Sequence, residues 1–285
     1  MAPPPFDGAA AVTAPLLLGA VAYDPKVVTI WDGFRRWFAA HGLPFDYVLY
    51  SNYERQVKDL VDGRIDVAWN SPLAWVRTRR LDRSARAVAM RDTDRDLTSV
   101  IVVRSDSDVT SPPQLGGRVV GSGAIDSPQG TLLPLALLDG VDVTVRRFEV
   151  GVGLHGDHVG GERDAARALA DGEVDAACMI DGNHLLFTNE GTLPTNGTRV
   201  IAQTPPYDHC NFSVVGPGSP LVDRFVGLLL AMDYADPAVR PLLDLEGLTR
   251  WLPGRTSGYQ QLEVAVDHFG FYDSDGEVTA DGYRP

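Results

Sequence analysis

Leu60-Val61-Asp62-Gly63-Arg64-Ile65-Asp66-Val67-Ala68 decides the fold, because the chain contains this stretch twice. The second copy, Leu169-Ala170-Asp171-Gly172-Glu173-Val174-Asp175-Ala176-Ala177, starts 109 positions later and keeps five of the nine residues. Each copy reads as the last turn of a helix, a glycine that ends it, and a short apolar strand. One copy would be an ordinary helix–strand unit. Two copies predict a pair of similar α/β lobes facing each other across a cleft, and the cleft is where function is expected.

Strand and helix signals alternate on both sides of each copy. In the first half, strands are predicted at 16–21, 45–50, 65–69, 88–90 and 98–103. Helices are predicted over 27–41, from Tyr53 to Val61, and from Pro72 onward. In the second half, strands fall at 118–121, 143–150, 174–180 and 200–201, with helices at 132–138 and 162–170. A strand at 212–215 returns to the first lobe, followed by helices at 223–234, 238–245 and 259–270. Such alternation implies a mostly parallel sheet in each lobe. Polar crossings near 104 and 208 place lobe one at 15–103 plus 210–272 and lobe two at 104–207. Residues 1–14 and 273–285 are expected to be loose. The fold class is therefore α/β, two Rossmann-like lobes joined by a two-strand hinge, the geometry of a closing clamp.

The 285 residues suffice for two lobes with real cores. A formal charge of −13 leaves no basic footprint for nucleic acid or an anionic membrane. A small anion remains compatible, since it needs only a few local donors. No run reaches the roughly 18 apolar residues of a membrane span. The apolar stretch Ala9–Ala22 has no Lys or Arg before it, so it lacks the positive start of a signal peptide. A cytoplasmic protein is expected if Met1 is the natural start, and a periplasmic or extracellular one if a signal peptide was removed. The two cysteines, Cys178 and Cys210, are too few for a disulfide framework; they are read as two buried free thiols, with a single bridge between them as the alternative. No cofactor is expected.

In open parallel sheets, ligands sit beyond the carboxyl ends of the strands. Those ends lead into Tyr23, Asn52, Asn70-Ser71, Ser127-Pro128-Gln129-Gly130-Thr131 and Asp181-Gly182-Asn183. Ser51-Asn52-Tyr53-Glu54 fits a capping box. Ser71-Pro72 and Ser127-Pro128 each place a cap before a proline at the first helical position. Free N–H groups and the positive dipole end at such starts favour an anion without any Lys or Arg. Capping alone also explains each start singly, but convergence of three at the lobe edges favours binding.

The motifs Trp31-Asp32-Gly33-Phe34, Ser51-Asn52-Tyr53-Glu54, the first repeat copy, Ser71-Pro72-Leu73-Ala74-Trp75-Val76, Ser99-Val100-Ile101-Val102-Val103, Gln114-Leu115-Gly116-Gly117-Arg118-Val119-Val120 and Gly172-Glu173-Val174-Asp175-Ala176 occur in this order. Over residues 16–215 the chain resembles the solute-binding proteins of phosphate/phosphonate ABC transporters. The resemblance implies a type-2 periplasmic-binding-protein fold and a small anionic ligand that is phosphonate-, phosphate- or carboxylate-like, bound by hinge closure. It implies an ABC permease as partner if the chain is exported. The family's Ser/Thr-rich helix start falls on Ser127 to Thr131, written here Ser-Pro-Gln-Gly-Thr rather than as a Ser-Thr-Ser run. Its cleft aromatics fall on Tyr23 and Trp69, and its lobe-two histidine on His155 or His158.

Ligand contacts are thus expected from Tyr23, Asn52, Trp69, Asn70, Ser71, Ser127, Gln129, Gly130, Thr131, His155, His158 and Asp181. His209-Cys210, at the second crossing, fits three roles. The pair serves as a nucleophile and base if the chain is a cytoplasmic enzyme on this fold, in which a neighbouring His lowers the thiol pKa. It joins His155 and His158 in a metal site, for which the His-x-x-His spacing alone is a weak signal. Or the histidines bond ligand and loops while Cys210 packs. No metal is assigned.

Overall fold

The computed structural model describes residues 14–151 and 158–285. Eleven strands in the described residues form two sheets. Lobe one contains β1 (Leu16–Val21), β2 (Phe45–Tyr50), β3 (Val67–Asn70), β4 (Arg86–Arg91), β10 (Asn211–Val214) and β11 (Trp251–Pro253), in the order β11-β4-β10-β3-β1-β2. Lobe two contains β5 (Ser99–Arg104), β6 (Val119–Ser122), β7 (Thr144–Arg147), β8 (Ala176–Ile180) and β9 (Thr198–Gln203), in the order β7-β6-β8-β5-β9. Around them pack α1 (Lys26–Ala40), α2 (Tyr53–Val61), α3 (Pro72–Leu81), α4 (Leu133–Ala136, preceded by one wide turn over 128–132), α5 (His158–Ala170), α6 (Asp181–Asn189), α7 (Pro220–Leu230), α8 (Arg240–Glu246) and α9 (Gln260–His268).

The two repeat copies make the same bonds. The N–H of Asp62 donates to the carbonyl of Lys58, and that of Asp171 to Arg167, both at 2.9 Å. Gly63 and Gly172 then end their helices at φ 70° and 76°, a left-handed conformation that glycine adopts without a Cβ clash. Asp66 accepts from the N–H of Leu17 (2.7 Å) through Oδ2 and donates its own N–H to the Leu17 carbonyl (2.8 Å). Asp175 treats Val119 likewise, both at 2.8 Å. The second aspartate of each copy therefore ties the new strand to the first strand of its own lobe, β1 or β6. Leu60 and Ile65, or Leu169 and Val174, are buried beneath.

Each sheet is mixed rather than mostly parallel. In lobe one, β2, β1 and β3 are parallel, and β10 runs antiparallel between β3 and β4. In lobe two, β7, β6 and β8 are parallel, and β5 runs antiparallel between β8 and β9. The strand arriving from the other lobe is reversed in both cases, and in lobe one the edge strand β11 also runs antiparallel to β4. This moves the first boundary. Residues 99–103, expected in lobe one, form an inner strand of the lobe-two sheet, between β8 and β9, and the crossing precedes them at 92–98. Val100, Ile101, Val102 and Val103 are all buried, as a strand covered on both faces must be. The return crossing runs over 204–210. Leu97 and Tyr207 exchange backbone hydrogen bonds at 2.9 and 2.8 Å, so the two crossings pair with each other. Arg255 bonds Asp96 on one and Asp208 on the other.

The expected loose tail 273–285 is packed. Thr279 N–H bonds the Phe271 carbonyl at 3.0 Å, and Gly276 and Tyr283 are buried. Polar composition suggested a tail, but the aromatics Phe271, Tyr272 and Tyr283 supply enough apolar area to anchor it. The loose segment expected at the start lies outside the described residues, apart from the exposed Ala14. No helix among the described residues is long and apolar enough to cross a membrane.

Candidate solute-binding site

A cavity of about 20 Å³ lies where the lobes meet, lined by residues of four helix starts. Lobe one contributes Tyr53 and Glu54 from α2 and Ser71, Pro72, Leu73 and Ala74 from α3. Lobe two contributes Asp126 and Pro128 from the turn into α4, and His158, the first residue of α5. His209 reaches it from the return crossing, and Tyr272 and Tyr283 from the C-terminal segment. A volume near 20 Å³ holds about one water, so a solute enters only as the lobes give way.

The starts are built as their sequences require. Asn52, not Ser51, caps α2, accepting from Arg55 N–H at 3.0 Å. The expected Ser51–Glu54 box is absent because Glu54 turns into the cavity. Its Oε1 accepts from the Tyr283 hydroxyl at 3.0 Å, and burial pushes its pKa up. Ser71 caps α3 through Ala74 N–H (3.2 Å), with Pro72 at the first helical position. Ser127 accepts from Gly130 N–H (3.0 Å) and Thr131 donates to the Ala124 carbonyl (2.7 Å). A Cβ on Gly130 would lie 2.9 Å from Cγ of Glu162, so only glycine lets α5 approach this start.

Each cavity histidine sits beside a carboxylate of its own side. His158 Nε2 is 3.1 Å from Asp126 Oδ1, both buried. His209 Nδ1 is 3.4 Å from Asp94 Oδ1. Asp94 is held by Arg91, which donates from Nε to Oδ2 (2.6 Å) and from Nη2 to Oδ1 (2.9 Å). Burial alone would raise the pKa of Asp94, but Arg91 and His209 outweigh it and hold the carboxyl well below the usual range. Glu246, beside Arg91 at 3.5 Å, goes the other way: burial pushes it up to about 7 despite the guanidinium.

Of the residues predicted from sequence, Ser71, His158 and His209 meet at this cavity. Asn52 caps the adjoining helix. Ser127, Gln129, Gly130 and Thr131 are buried in the turn directly behind Asp126 and Pro128. Trp69 does not face the cleft. It packs against Phe212 and Trp251 in the lobe-one core, because β3 is covered on both faces. Asn70 is buried behind the site, accepting from Gln56 (2.9 Å) and donating to Thr78 (3.2 Å). Tyr23 is half-buried against the lobe-one core. Asp181 is exposed and accepts from Thr98 at 2.7 Å. His155 lies outside the described residues. Sequence reasoning missed Asp126, although it adjoins Ser127, took Tyr53 and Glu54 for capping alone, and passed over Tyr272 and Tyr283, whose signal was aromatic side chains in an otherwise polar tail.

Cys210 is fully buried in the lobe-one core. Burial first, and Asp94 second, push its thiol well above the ordinary pKa. Its Sγ lies 3.1 Å from His209 Nδ1, as a nucleophile–base pair would, but full burial disfavours the thiolate that the catalytic role weighed for it needs. Ligating atoms of Asp94, His209 and Cys210 lie within 4.8 Å of one another. Arg91 already bonds both oxygens of Asp94, and Cys210 N–H adds a third bond at 3.2 Å. The cluster is a satisfied hydrogen-bond network around a paired charge. Cys178 and Cys210 sit in different cores as free thiols.

The profile of one protein family, described as ABC transporter, phosphonate, periplasmic substrate-binding protein, matches residues 20–259. The chain belongs to that family. Among its relatives, the probable ABC transporter phosphite binding protein PhnD1 of Prochlorococcus marinus (strain MIT 9301) is 22% identical over 233 residues, covering 76% of each chain. The structure of PhnD1 with methylphosphonate superimposes with a TM-score of 0.65 at 18% identity, covering 90% of this chain and 98% of that one. XAC2383 from Xanthomonas citri bound to ATP gives 0.67 at 19% identity, over 90% and 98%. The periplasmic aliphatic sulphonate binding protein SsuA from Escherichia coli gives 0.54 at 15%, over 90% and 87%. This binding protein thus has the type-2 periplasmic-binding-protein fold, and its cavity lies between the two lobes of that fold.

Proposed function

We propose that this binding protein captures a small oxyanion of the phosphonate, phosphite or phosphate class between its lobes and presents it to an ABC permease outside the cytoplasm. One observation carries this: four helix starts, two from each lobe, and one histidine from each side meet at a single cavity. The starts of α2, α3 and α5 each contribute about half a positive charge, which suits an oxyanion in a chain whose net charge is −13. The cavity's own carboxylates, Glu54 and Asp126, face the same space. They favour an anion that also carries a donor, such as a P–OH group or an ammonium. The solute would touch both lobes only when they close, so the differential contacts that shift the equilibrium come from Ser71, His158, His209 and the buried start at Ser127 to Thr131. The paired crossings at 92–98 and 204–210 are the segments about which that closure turns.

Calorimetric titration with methylphosphonate, phosphite, phosphate, 2-aminoethylphosphonate and acetate tests the proposal. Binding of at least one phosphorus oxyanion, weakened by His158→Ala, is expected. Binding of none, with no rise in melting temperature at millimolar concentration, would refute it.

A further inference from the structure

The cavity has a wall beyond the family match. That match ends at residue 259, yet Tyr272 and Tyr283 line the cavity. Two arginines one turn apart on α3 seat this C-terminal segment on lobe one. Arg77 Nε donates to the Gly276 carbonyl at 2.7 Å, and Arg80 Nη1 to the carbonyls of Tyr272 (2.8 Å) and Asp273 (2.9 Å). Arg77 also bonds the Glu54 carbonyl at 3.1 Å, tying the segment to the α2 start. Gly276, at φ 77°, bends the chain back, and the Tyr283 ring returns to within 5.0 Å of the Phe271 ring. On the other side, Phe271, Tyr272 and Tyr283 share one buried cluster with Ile125, Leu132 and Leu133 of lobe two. The segment is thus held to lobe one by polar bonds and by the same apolar cluster, which also contains Leu73, Trp75 and Val76 of α3, and it shares that cluster with lobe two. Inside the cavity, Tyr283 donates to Glu54 Oε1, while Glu54 Oε2 is buried with no partner among the described residues.

We propose that Phe271–Tyr283 is the third wall of the solute cleft, and that Tyr283 is a specificity-determining residue that limits solute size and holds Glu54 toward the solute. This rests on the anion-binding proposal above. The Tyr283 ring is fixed at its hydroxyl by Glu54 and at its face by Phe271, so it cannot swing aside without losing both contacts. Because the segment is bonded to lobe one, hinge opening carries it along and does not widen the space between Tyr283 and α2. The substituent on phosphorus therefore meets Tyr283 in the open and closed forms alike. The free Oε2 of Glu54 is left to accept from the solute.

The test is calorimetric titration of the full chain, Tyr283→Ala and Tyr283→Phe with methylphosphonate and phenylphosphonate. Tyr283→Ala should shift the affinity ratio toward phenylphosphonate by about tenfold, the scale of discrimination by a filled apolar pocket. Tyr283→Phe should keep the ratio and weaken methylphosphonate several-fold, because Glu54 loses its donor. A ratio unchanged in Tyr283→Ala overturns the wall. If neither phosphonate binds any of the three proteins, the same titrations are run with phosphite and phosphate, whose failure too refutes the anion proposal, and hydrogen exchange then judges the wall separately. Amides of Phe271 and Thr279 exchanging as slowly as those of β1 support a seated wall. Exchange at unstructured-chain rates overturns it.

Discussion

Glu162 should make the stability of this protein fall as pH rises through neutrality. The residue is fully buried on α5, behind the Ser127 to Thr131 start. Its Oε2 accepts from Ile180 N–H at 2.9 Å and from Asn183 Nδ2 at 2.8 Å. Burial dominates these bonds and raises its pKa from 4.5 to about 7. Two buried oxygens nearby, Glu162 Oε1 and Gln129 Oε1, have no hydrogen-bond partner at ordinary distance among the described residues. A proton on the carboxyl relieves the burial of a charge. The folded protein therefore binds this proton more tightly than the unfolded chain, and the stability it confers is complete below about pH 4.5. It is lost progressively as pH rises through about 7, where the folded carboxyl also ionises. Moving one carboxyl pKa that far corresponds to about 3 kcal/mol, or roughly 5–10 °C in melting temperature for a chain of this size. Glu162→Gln keeps an oxygen for Ile180 and Asn183 and removes the titration. Melting temperatures measured from pH 4 to pH 9 should fall more steeply in the unmodified protein than in Glu162→Gln, the two curves diverging between pH 5 and pH 8. Parallel curves across that window would refute the assignment of a buried, proton-holding carboxyl.

Glu246, pushed up to about 7 in the same direction, should account for most of the fall that remains in Glu162→Gln, so a double Gln variant should have the flattest profile of the set. Asp94→Ala leaves Arg91 without its two carboxylate bonds and His209 without its neighbour. It should cost about 3–5 kcal/mol in urea unfolding, as breaking a buried ion pair does, and should weaken methylphosphonate binding in the fraction that folds. Gly63→Ala and Gly172→Ala, at φ 70° and 76°, where a Cβ would meet nothing within 4 Å in the first and only the Arg104 guanidinium at 3.6 Å in the second, should each cost about 1–2 kcal/mol. The two values should agree, and a large difference would show that the copies are not equivalent. Cys178 and Cys210 should react with a thiol reagent in native buffer only as slowly as the protein unfolds.

Much of the scaffold was legible because its signals are local. The glycine that ends each repeat helix, the aspartate that follows, and the Ser-Pro starts at 71 and 127 act through neighbours a few residues away. Three of the cavity's helix starts could be placed for the same reason, and Ser71 was found that way; His158 came from the family resemblance, since its helix was expected to begin at Glu162, and His209 from its place beside Cys210 at the second crossing. Trp69 was misplaced because an aromatic at a strand end reads alike whether it faces a cleft or a core. Only the packing of Phe212 and Trp251 around it settles which. The role of Glu54 was hidden for a similar reason: its spacing from Ser51 suits a capping box, and the partner that draws it away, Tyr283, is 229 residues distant in sequence.

The sequence by itself determined that there are two lobes, that each contains the same helix–glycine–strand unit, and that helix starts rich in Ser, Pro and Asn edge the cleft. Turn chemistry and apolar periodicity dictate those features within a few residues. Tertiary structure alone decided that Ser99–Arg104 belongs to lobe two, that each crossing strand enters its new sheet reversed, and that Phe271–Tyr283 folds back to close the cavity. Each of these choices depends on which distant apolar faces bury one another, and burial is a property of the whole assembly. A run such as Val100-Ile101-Val102-Val103 specifies that it must be covered on both faces; it does not specify by which sheet.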